Sequence, residues 1–176
     1  MGNEWRTQKI RRPRSDVEPY LSAMLEELCD DNPHLEHYVG GSYRRGCDVL
    51  GDIDVLVISE SPLTPSLLDP GVMLPSLVRW QRSGPRIANG DLTLPDGPLH
   101  VDFWQAPPSA RASMLLFTTG SASTNKRMRG RAKGLGLALS QDGLKDRATG
   151  RLIPGMDEEE DIFSRLHLPY LAPEHR

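Results

Sequence analysis

The chain has 176 residues, enough for one ordinary domain or two small lobes. Hydrophobic residues make up 38% and aromatics 6%, with 16 Gly and 15 Pro, so a lean core joined by many turns is expected. A net charge of −3, two cysteines and no long apolar stretch exclude a uniformly basic nucleic-acid binder, a disulfide scaffold, a cysteine-rich zinc site and a membrane span.

The first residues lack the apolar segment of a secretory signal, so an intracellular, cytoplasmic, soluble protein is expected. Charge is unevenly spread. Residues 1–14 carry five basic side chains, Arg6 and Lys9 among them, against one acid, and residues 126–133 carry five against none. Two such segments on an acidic body fit either a focused polyanion site or two solvated basic faces. Charge alone does not choose.

Ser15-Asp16-Val17-Glu18 reads as a capping box opening an amphipathic helix over 16–29, with Pro19 in its first turn. Tyr20, Leu21, Met24, Leu25 and Leu28 supply its apolar stripe. A short strand is expected at 37–39, and the best strand of the chain at 53–58, β-branched and nearly all apolar after Asp54. A stretch rich in Ser, Pro and Leu follows from Ser59 to Pro75, then a helix predicted over 73–81. Residues 92–94 and 99–104 read as a β-hairpin around Pro95-Asp96-Gly97. Gln105 to Pro108 breaks the pattern and marks a lobe boundary. Beyond it are predicted a helix at 109–117, a turn at Gly120-Ser121, a basic helix at 122–134, strands at 137–140 and 151–153, a closing helix at 157–166 and an extended tail. The fold class is α+β, mixed α/β, in two lobes, 1–106 and 107–176.

Three carboxylates stand out because each is embedded in apolar strand. Asp52 and Asp54 are two apart and so share one strand face, and Asp102 lies in a second strand. A bare carboxylate against a sheet is costly unless it meets a cation. Three converging ones suit Mg²⁺, which takes oxygen ligands and leaves room for substrate phosphates. Asp-x-Asp alone does not separate such a site from a solvated strand end. The segment before it changes the weighting. Gly40, Gly41 and Gly51 let backbone N–H groups approach phosphate, Ser42 adds a hydroxyl and Arg45 a guanidinium. A phosphate cradle followed by a metal-binding pair points to a nucleoside triphosphate site.

Here the chain resembles a known family. Gly40-Gly41-Ser42-Tyr43-Arg44-Arg45-Gly46, then Gly51-Asp52-Ile53-Asp54-Val55-Leu56-Val57, resembles the palm signature of the family X DNA polymerases, within the nucleotidyltransferase superfamily. Val101-Asp102-Phe103-Trp104 is similar to the strand bearing the family's third aspartate, and residues 117–129 to its nucleotide-selection motif. Residues 159–163 and 168–176 resemble its C-terminal end, and Arg11-Arg12-Pro13-Arg14 sits where the family opens its palm. The resemblance covers nearly the whole chain from residue 11.

The resemblance implies a nucleotidyltransferase-type palm, a mixed sheet with flanking helices, followed by a small α/β nucleotide-selection lobe. It implies two Mg²⁺ ions, replaceable by Mn²⁺, both held by Asp52 and Asp54, with Asp102 completing the catalytic site beside the primer 3′-hydroxyl. Arg11, Ser42 and Arg45 would bind the β- and γ-phosphates, with Gly41 in the phosphate loop and Gly51 approaching through its backbone. Phe117 matches the aromatic at the sugar edge, Gly120 the close turn, and Asn125 the residue that hydrogen-bonds the incoming base. Lys126 and Arg129 match residues that touch the template. Independently, Asn125, Lys126, Arg129 and Lys133 share one helical face, while Met128, Ala132 and Leu135 share the other.

Two departures bear on ribose discrimination and fidelity: Thr118 replaces a second aromatic, and Ala122 a longer residue that packs on the base. Only ten residues precede Arg11, and there is no helix-hairpin-helix signature. The resemblance therefore implies a minimal polymerase without a lyase domain, like the smallest viral members, holding DNA weakly and salt-sensitively. A monomer is expected, with further grip on DNA left to a separate partner. The five histidines show no ligand spacing. Tyr43 is read as a core contact, and Trp104, on the same strand face as Asp102, as a wall of the site or, in preference, as packing. The leading reading is a template-directed DNA polymerase using dNTPs to fill short gaps, in repair or in phage or viral DNA metabolism. The alternative is a template-independent nucleotidyltransferase acting on a 3′ end or a small acceptor. A catalytically dead nucleic-acid-binding module is disfavoured, because DNA binding alone does not need three carboxylates together with Arg45.

Overall fold

The structure, a computed structural model, describes residues 10–64 and 71–176. Trp5, Arg6, Lys9 and the 65–70 part of the Ser/Leu-rich stretch lie outside the described residues. Arg12–Pro13 pairs antiparallel with Val49–Leu50 and delivers the chain extended into helix α1, Arg14–Asp31. The predicted capping box does not form. Pro13 occupies the cap position, and Ser15 lies inside the first turn, bonded to Asp16. The reason is local: the Arg14 N–H donates to the Asp48 carbonyl at 2.8 Å. Glu18, which the box needed, instead pairs with Arg14 at 2.8 Å, while that guanidinium stacks 3.9 Å over Tyr43.

One stripe of α1, Val17, Leu21, Met24 and Leu28, is fully buried. Burying each such side chain contributes about 1.5–3 kcal/mol. The stripe packs on a five-stranded sheet: β1 (Glu36–Val39), β2 (Asp52–Ile58), β3 (Val78–Ser83), β4 (Ile87–Leu94) and β5 (Gly97–Ala106). The spatial order is β1-β2-β5-β4-β3, with β2 and β5 parallel and the other neighbours antiparallel.

The helix predicted over 73–81 is a correction. Val72–Met73 pairs with Leu63–Thr64, and Val78–Ser83 is the edge strand β3. These residues pair with neighbouring strands, and burial from Val78 runs with period two. Val78 is buried, Arg79 exposed, and Trp80 sits edge-on to Phe103 at 5.3 Å. The predicted hairpin forms with longer strands, turning at Pro95-Asp96 with Gly97 at φ 118°. Buried Arg12 donates to Asp96 at 3.0 Å, tying the chain entry to that turn.

Helices α2 (Arg111–Thr119) and α3 (Ala122–Gly134) follow, then a hairpin of β6 (Leu137–Ser140) and β7 (Gly143–Asp146), and α4 (Glu159–Arg165). The strand expected at 151–153 is a second correction, and the partner of β6 lies elsewhere. It is 143–146 rather than 151–153, of which only Leu152 makes an isolated bridge to Lys145. Leu144 is fully buried in register with Leu139, so the earlier segment carries the apolar anchor.

Alternation along β2 and β5 organises the core. Ile53, Val55, Val57, Leu99, Val101 and Phe103 belong to the cluster that α1 covers. On the opposite face Leu56, Ile58 and Ala106 meet Ala110, Met114 and Leu115 of the α2 region. Met128, Ala132, Leu144, Ile162 and Phe163 make a further cluster among α3, the second hairpin and α4. The predicted apolar face of α3 therefore packs, and Lys126, Arg129 and Lys133 are exposed.

Candidate functional site

The face of β2 that carries Leu56 and Ile58 also carries Asp52 and Asp54, beyond the part that α2 covers. Asp54 stands opposite Asp102 in the parallel register, and Asp52 opposite His100. All three carboxylates are half-buried. Their oxygens have neighbours. The Trp104 indole N–H donates to Asp54 Oδ1 at 3.3 Å, and His100 Nε2 lies 3.4 Å from Asp102 Oδ1. Among the described residues, no three acidic, imidazole or thiol groups stand close enough to close round an ion as placed.

The glycine loop is fastened to the same strand. The Gly40 N–H donates to the Asp54 carbonyl at 2.7 Å. Gly41 has φ 57°, and a side chain there would collide with Asp54 Oδ2, so this position requires glycine. Gly40 packs against Thr118, where an added Cβ would stand 3.2 Å from the Thr118 side chain. One helical turn, Gly41–Arg44, then presents Ser42 and Arg45. The Ser42 hydroxyl is buried and has no hydrogen-bond partner among the described residues. A buried hydroxyl left in this way is costly unless something else satisfies it.

An open cleft of about 470 Å³ joins these parts. Gly41, Ser42, Arg45, Asp52, Asp54 and Trp104 line it from the sheet side, and Phe117, Thr118, Gly120, Ala122, Asn125 and Arg129 from α2 and α3. Of the site residues read from the sequence, Gly51, Asp102, Arg11, Lys126 and Lys133 are not in its lining. Asp102 adjoins it through Asp54. Lys126 and Lys133 are exposed on α3, and Arg11 is exposed where the chain enters the first β pair.

The two sides are cross-tied. Arg45 donates to the Thr119 carbonyl. Arg44 donates to Thr119 Oγ1 at 2.6 Å and to Glu159 at 2.7 Å. Glu159 also accepts from Arg176 at 2.5 Å, so one carboxylate, 3% exposed, holds two guanidinium groups. The Asn125 amide donates to the Phe117 carbonyl at 2.8 Å, and the Phe117 ring meets Trp104 edge-on at 5.6 Å. At the outer junction Arg111 donates to the Tyr38 hydroxyl at 3.1 Å and pairs with Glu158. Both contacts hold its guanidinium well above its ordinary range.

Sequence reasoning prefers packing for Trp104 over a place in the wall of the site, and gives Arg44, Glu159 and Arg176 no role beyond their motifs. The signal for Trp104 was its place two residues from Asp102 on a strand. For the Arg44–Glu159–Arg176 triad no local signal exists, because its members are far apart in the chain.

Residues 11–79 match the family model for the DNA polymerase beta palm, and residues 114–176 that for the DNA polymerase beta thumb. DNA polymerase lambda of Rattus norvegicus is 34% identical over 189 residues, spanning 94% of this chain. The chain covers 33% of that relative's length. No helix among the described residues is long and apolar enough to cross a membrane.

Proposed function

The chain belongs to family X of the DNA polymerases, and on that premise we propose that its cleft adds a deoxynucleotide from a dNTP to a primer 3′-hydroxyl opposite a template. Residues 1–106 act as the catalytic palm and residues 107–176 as the nucleotide-selecting, template-contacting lobe. The observation that carries this reading is the buried Ser42 hydroxyl, which has no hydrogen-bond partner among the described residues. It lies with Arg45 in the same cleft as Asp52 and Asp54.

The donor set fits hard divalent cations. It consists of carboxylate oxygens from adjacent strands, with neither thiolate nor imidazole in the lining of the cleft. Asp52 and Asp54 would hold two Mg²⁺ ions, with Asp102 completing one site. When bound, the ions supply charge neutralisation at the attacking and leaving oxygens. The chain's own residues do the rest. Ser42 and Arg45 bind the terminal phosphates, the hydroxyl donating and the guanidinium matching their charge. Phe117, held through its carbonyl by Asn125, walls the sugar, and Asn125 and Arg129 face the base pair. The 3′-hydroxyl oxygen attacks the α-phosphorus in line, the bond to the β-phosphate oxygen breaks, and pyrophosphate leaves. Catalysis is positioning and electrostatics. Lys126 and Lys133, exposed on α3, track the template backbone. Short gaps, in repair or in phage or viral DNA, are the proposed substrate.

The test is incorporation of each dNTP singly, with Mg²⁺ at low salt, on recessed, one-nucleotide-gapped and single-stranded 3′ ends. Complementary addition on the templated ends, strongest on the gap and lost in Asp102→Ala, is the expected result. Indiscriminate addition to single strands would instead assign a template-independent transferase.

A further inference from the structure

Trp104 has a placement that packing does not require. It lies on β5 two residues beyond Asp102, so both point to the cleft face of the sheet. Packing would be satisfied by any ring filling the space beside Phe117 and Tyr38. The indole is instead oriented so that its single N–H reaches Asp54 Oδ1 at 3.3 Å. The other carboxylate oxygen of Asp54 abuts Gly41 of the phosphate loop. The Asp54 head group is therefore held between a tryptophan donor on one side and the loop that presents Ser42 and Arg45 on the other.

The far side of the same ring leads to the nucleotide-selecting helix. Phe117 packs edge-on against Trp104, with centroids 5.6 Å apart and planes at 80°. The Phe117 carbonyl receives the Asn125 amide from α3 at 2.8 Å. Asn125, Phe117, Trp104 and Asp54 thus form one unbroken series of contacts from the base-facing helix to a metal-binding carboxylate.

We propose that Trp104 is a positioning residue. Its N–H sets the rotation of the Asp54 carboxylate for cation binding, and its ring makes that rotation answer to the placement of Phe117. The inference rests on the reading of Asp54 as a metal ligand in a nucleotidyl-transfer site. Its physical basis is general: a donor to the second oxygen of a ligating carboxylate fixes the ligand's orientation, and losing such a partner weakens metal affinity roughly 10–100-fold. A phenyl ring at this position removes the donor together with the second ring of the indole, a loss of volume that the same change at Trp80 shares.

The experiment uses Trp104→Phe and, as a control, Trp80→Phe, whose indole donates to the Pro75 carbonyl away from the cleft. The first readout needs no catalysis. In a ¹⁵N–¹H spectrum of the full chain, the indole N–H signal absent from Trp104→Phe is assigned to Trp104. It is expected to shift in Asp54→Asn, and to move during an Mg²⁺ titration of the wild type. The second readout is the Mg²⁺ concentration for half-maximal incorporation. It is expected to rise about tenfold or more in Trp104→Phe and to stay put in Trp80→Phe, which loses the same ring volume.

An indole signal indifferent to Asp54→Asn or to Mg²⁺ overturns the proposal. So does an Mg²⁺ midpoint in Trp104→Phe that is unchanged or lower than wild type, whatever happens to stability. If the wild type incorporates nothing on any DNA, the polymerase reading fails. The response of the indole signal to Asp54→Asn and Mg²⁺ then still decides the contact by itself.

Discussion

Asp54 and Asp102 occupy directly opposite positions on two parallel neighbouring strands, both turned to the sheet face that α1 leaves uncovered. Two carboxylates so placed repel each other unless donors or cations intervene, and the Trp104 indole and the His100 ring each lie against one of them. Asp102→Asn removes that repulsion while keeping the shape. It is expected to leave the melting temperature unchanged or slightly raised, and to lower single-turnover incorporation on the order of 10³-fold. Retention of more than about a tenth of the rate would remove Asp102 from the metal-binding set.

Ser42→Ala separates binding from stability. The buried hydroxyl has no partner among the described residues, and such a group costs about 1–3 kcal/mol. Its removal should raise the melting temperature while raising the KM for dNTP. Loss of stability in this variant would show that the hydroxyl is satisfied in the free protein and does not await a phosphate.

Glu159 is the anchor between the phosphate loop and the last helix. Its side chain is 3% exposed, that of Arg176 0%, and that of Arg44 23%. Glu159→Ala strands two guanidinium groups, and breaking a buried pair from one side typically costs about 3–5 kcal/mol. Urea unfolding of the variant should show a loss of that order. A loss below about 1 kcal/mol would mean that the groups rehydrate freely.

Lys126, Arg129 and Lys133 stand exposed on one face of α3. If Lys126 and Lys133 each neutralise one phosphate, alanine at either lowers the slope of log affinity against log salt by about one, alike for all DNA sequences, whereas Arg129→Ala lowers affinity with little change of slope. Filter binding or anisotropy at a series of salt concentrations measures the slope. A variant with weaker binding and an unaltered slope would place that residue on the bases or in the fold.

Asp146 closes the turn after β7, accepting from the Thr149 N–H at 2.7 Å and from its hydroxyl at 2.8 Å. These bonds hold its carboxyl below the ordinary carboxylate range. A depressed native pKa contributes stability that is complete above the unfolded value and disappears as pH falls through the native one. Asp146→Asn, which imitates the protonated group, should therefore melt below wild type at neutral pH, with the gap closing in acid. A gap independent of pH would assign the loss to shape.

Much of the site was legible because its parts are local. Gly41 next to Ser42, and Asp52 two residues from Asp54, are spacings that any observer of the chain can count, and the strand's alternation turns the second into a shared face. The apolar and basic faces of α3 were legible for the same reason. The helix expected at 73–81 failed because its residues answer to β4 across the sheet, where period two displaces the local pattern. The capping box failed because the pairing of the chain entry starts the helix at Arg14, ahead of Ser15, and Glu18 bonds Arg14 and Tyr43 instead.

By itself, then, the sequence determined the chemistry on offer: carboxylates on strands, a glycine loop carrying a serine and an arginine, and a basic helix. Which of these meet was decided by tertiary structure alone. Trp104 reaches Asp54 from 50 residues away, and Arg44 reaches Glu159 from 115. Such pairs exist only once β2 lies beside β5 and the last helix docks on α2. The physical reason is that a hydrogen bond acts over about 3 Å, whereas sequence patterns record only the neighbours a residue has along its own strand or helix.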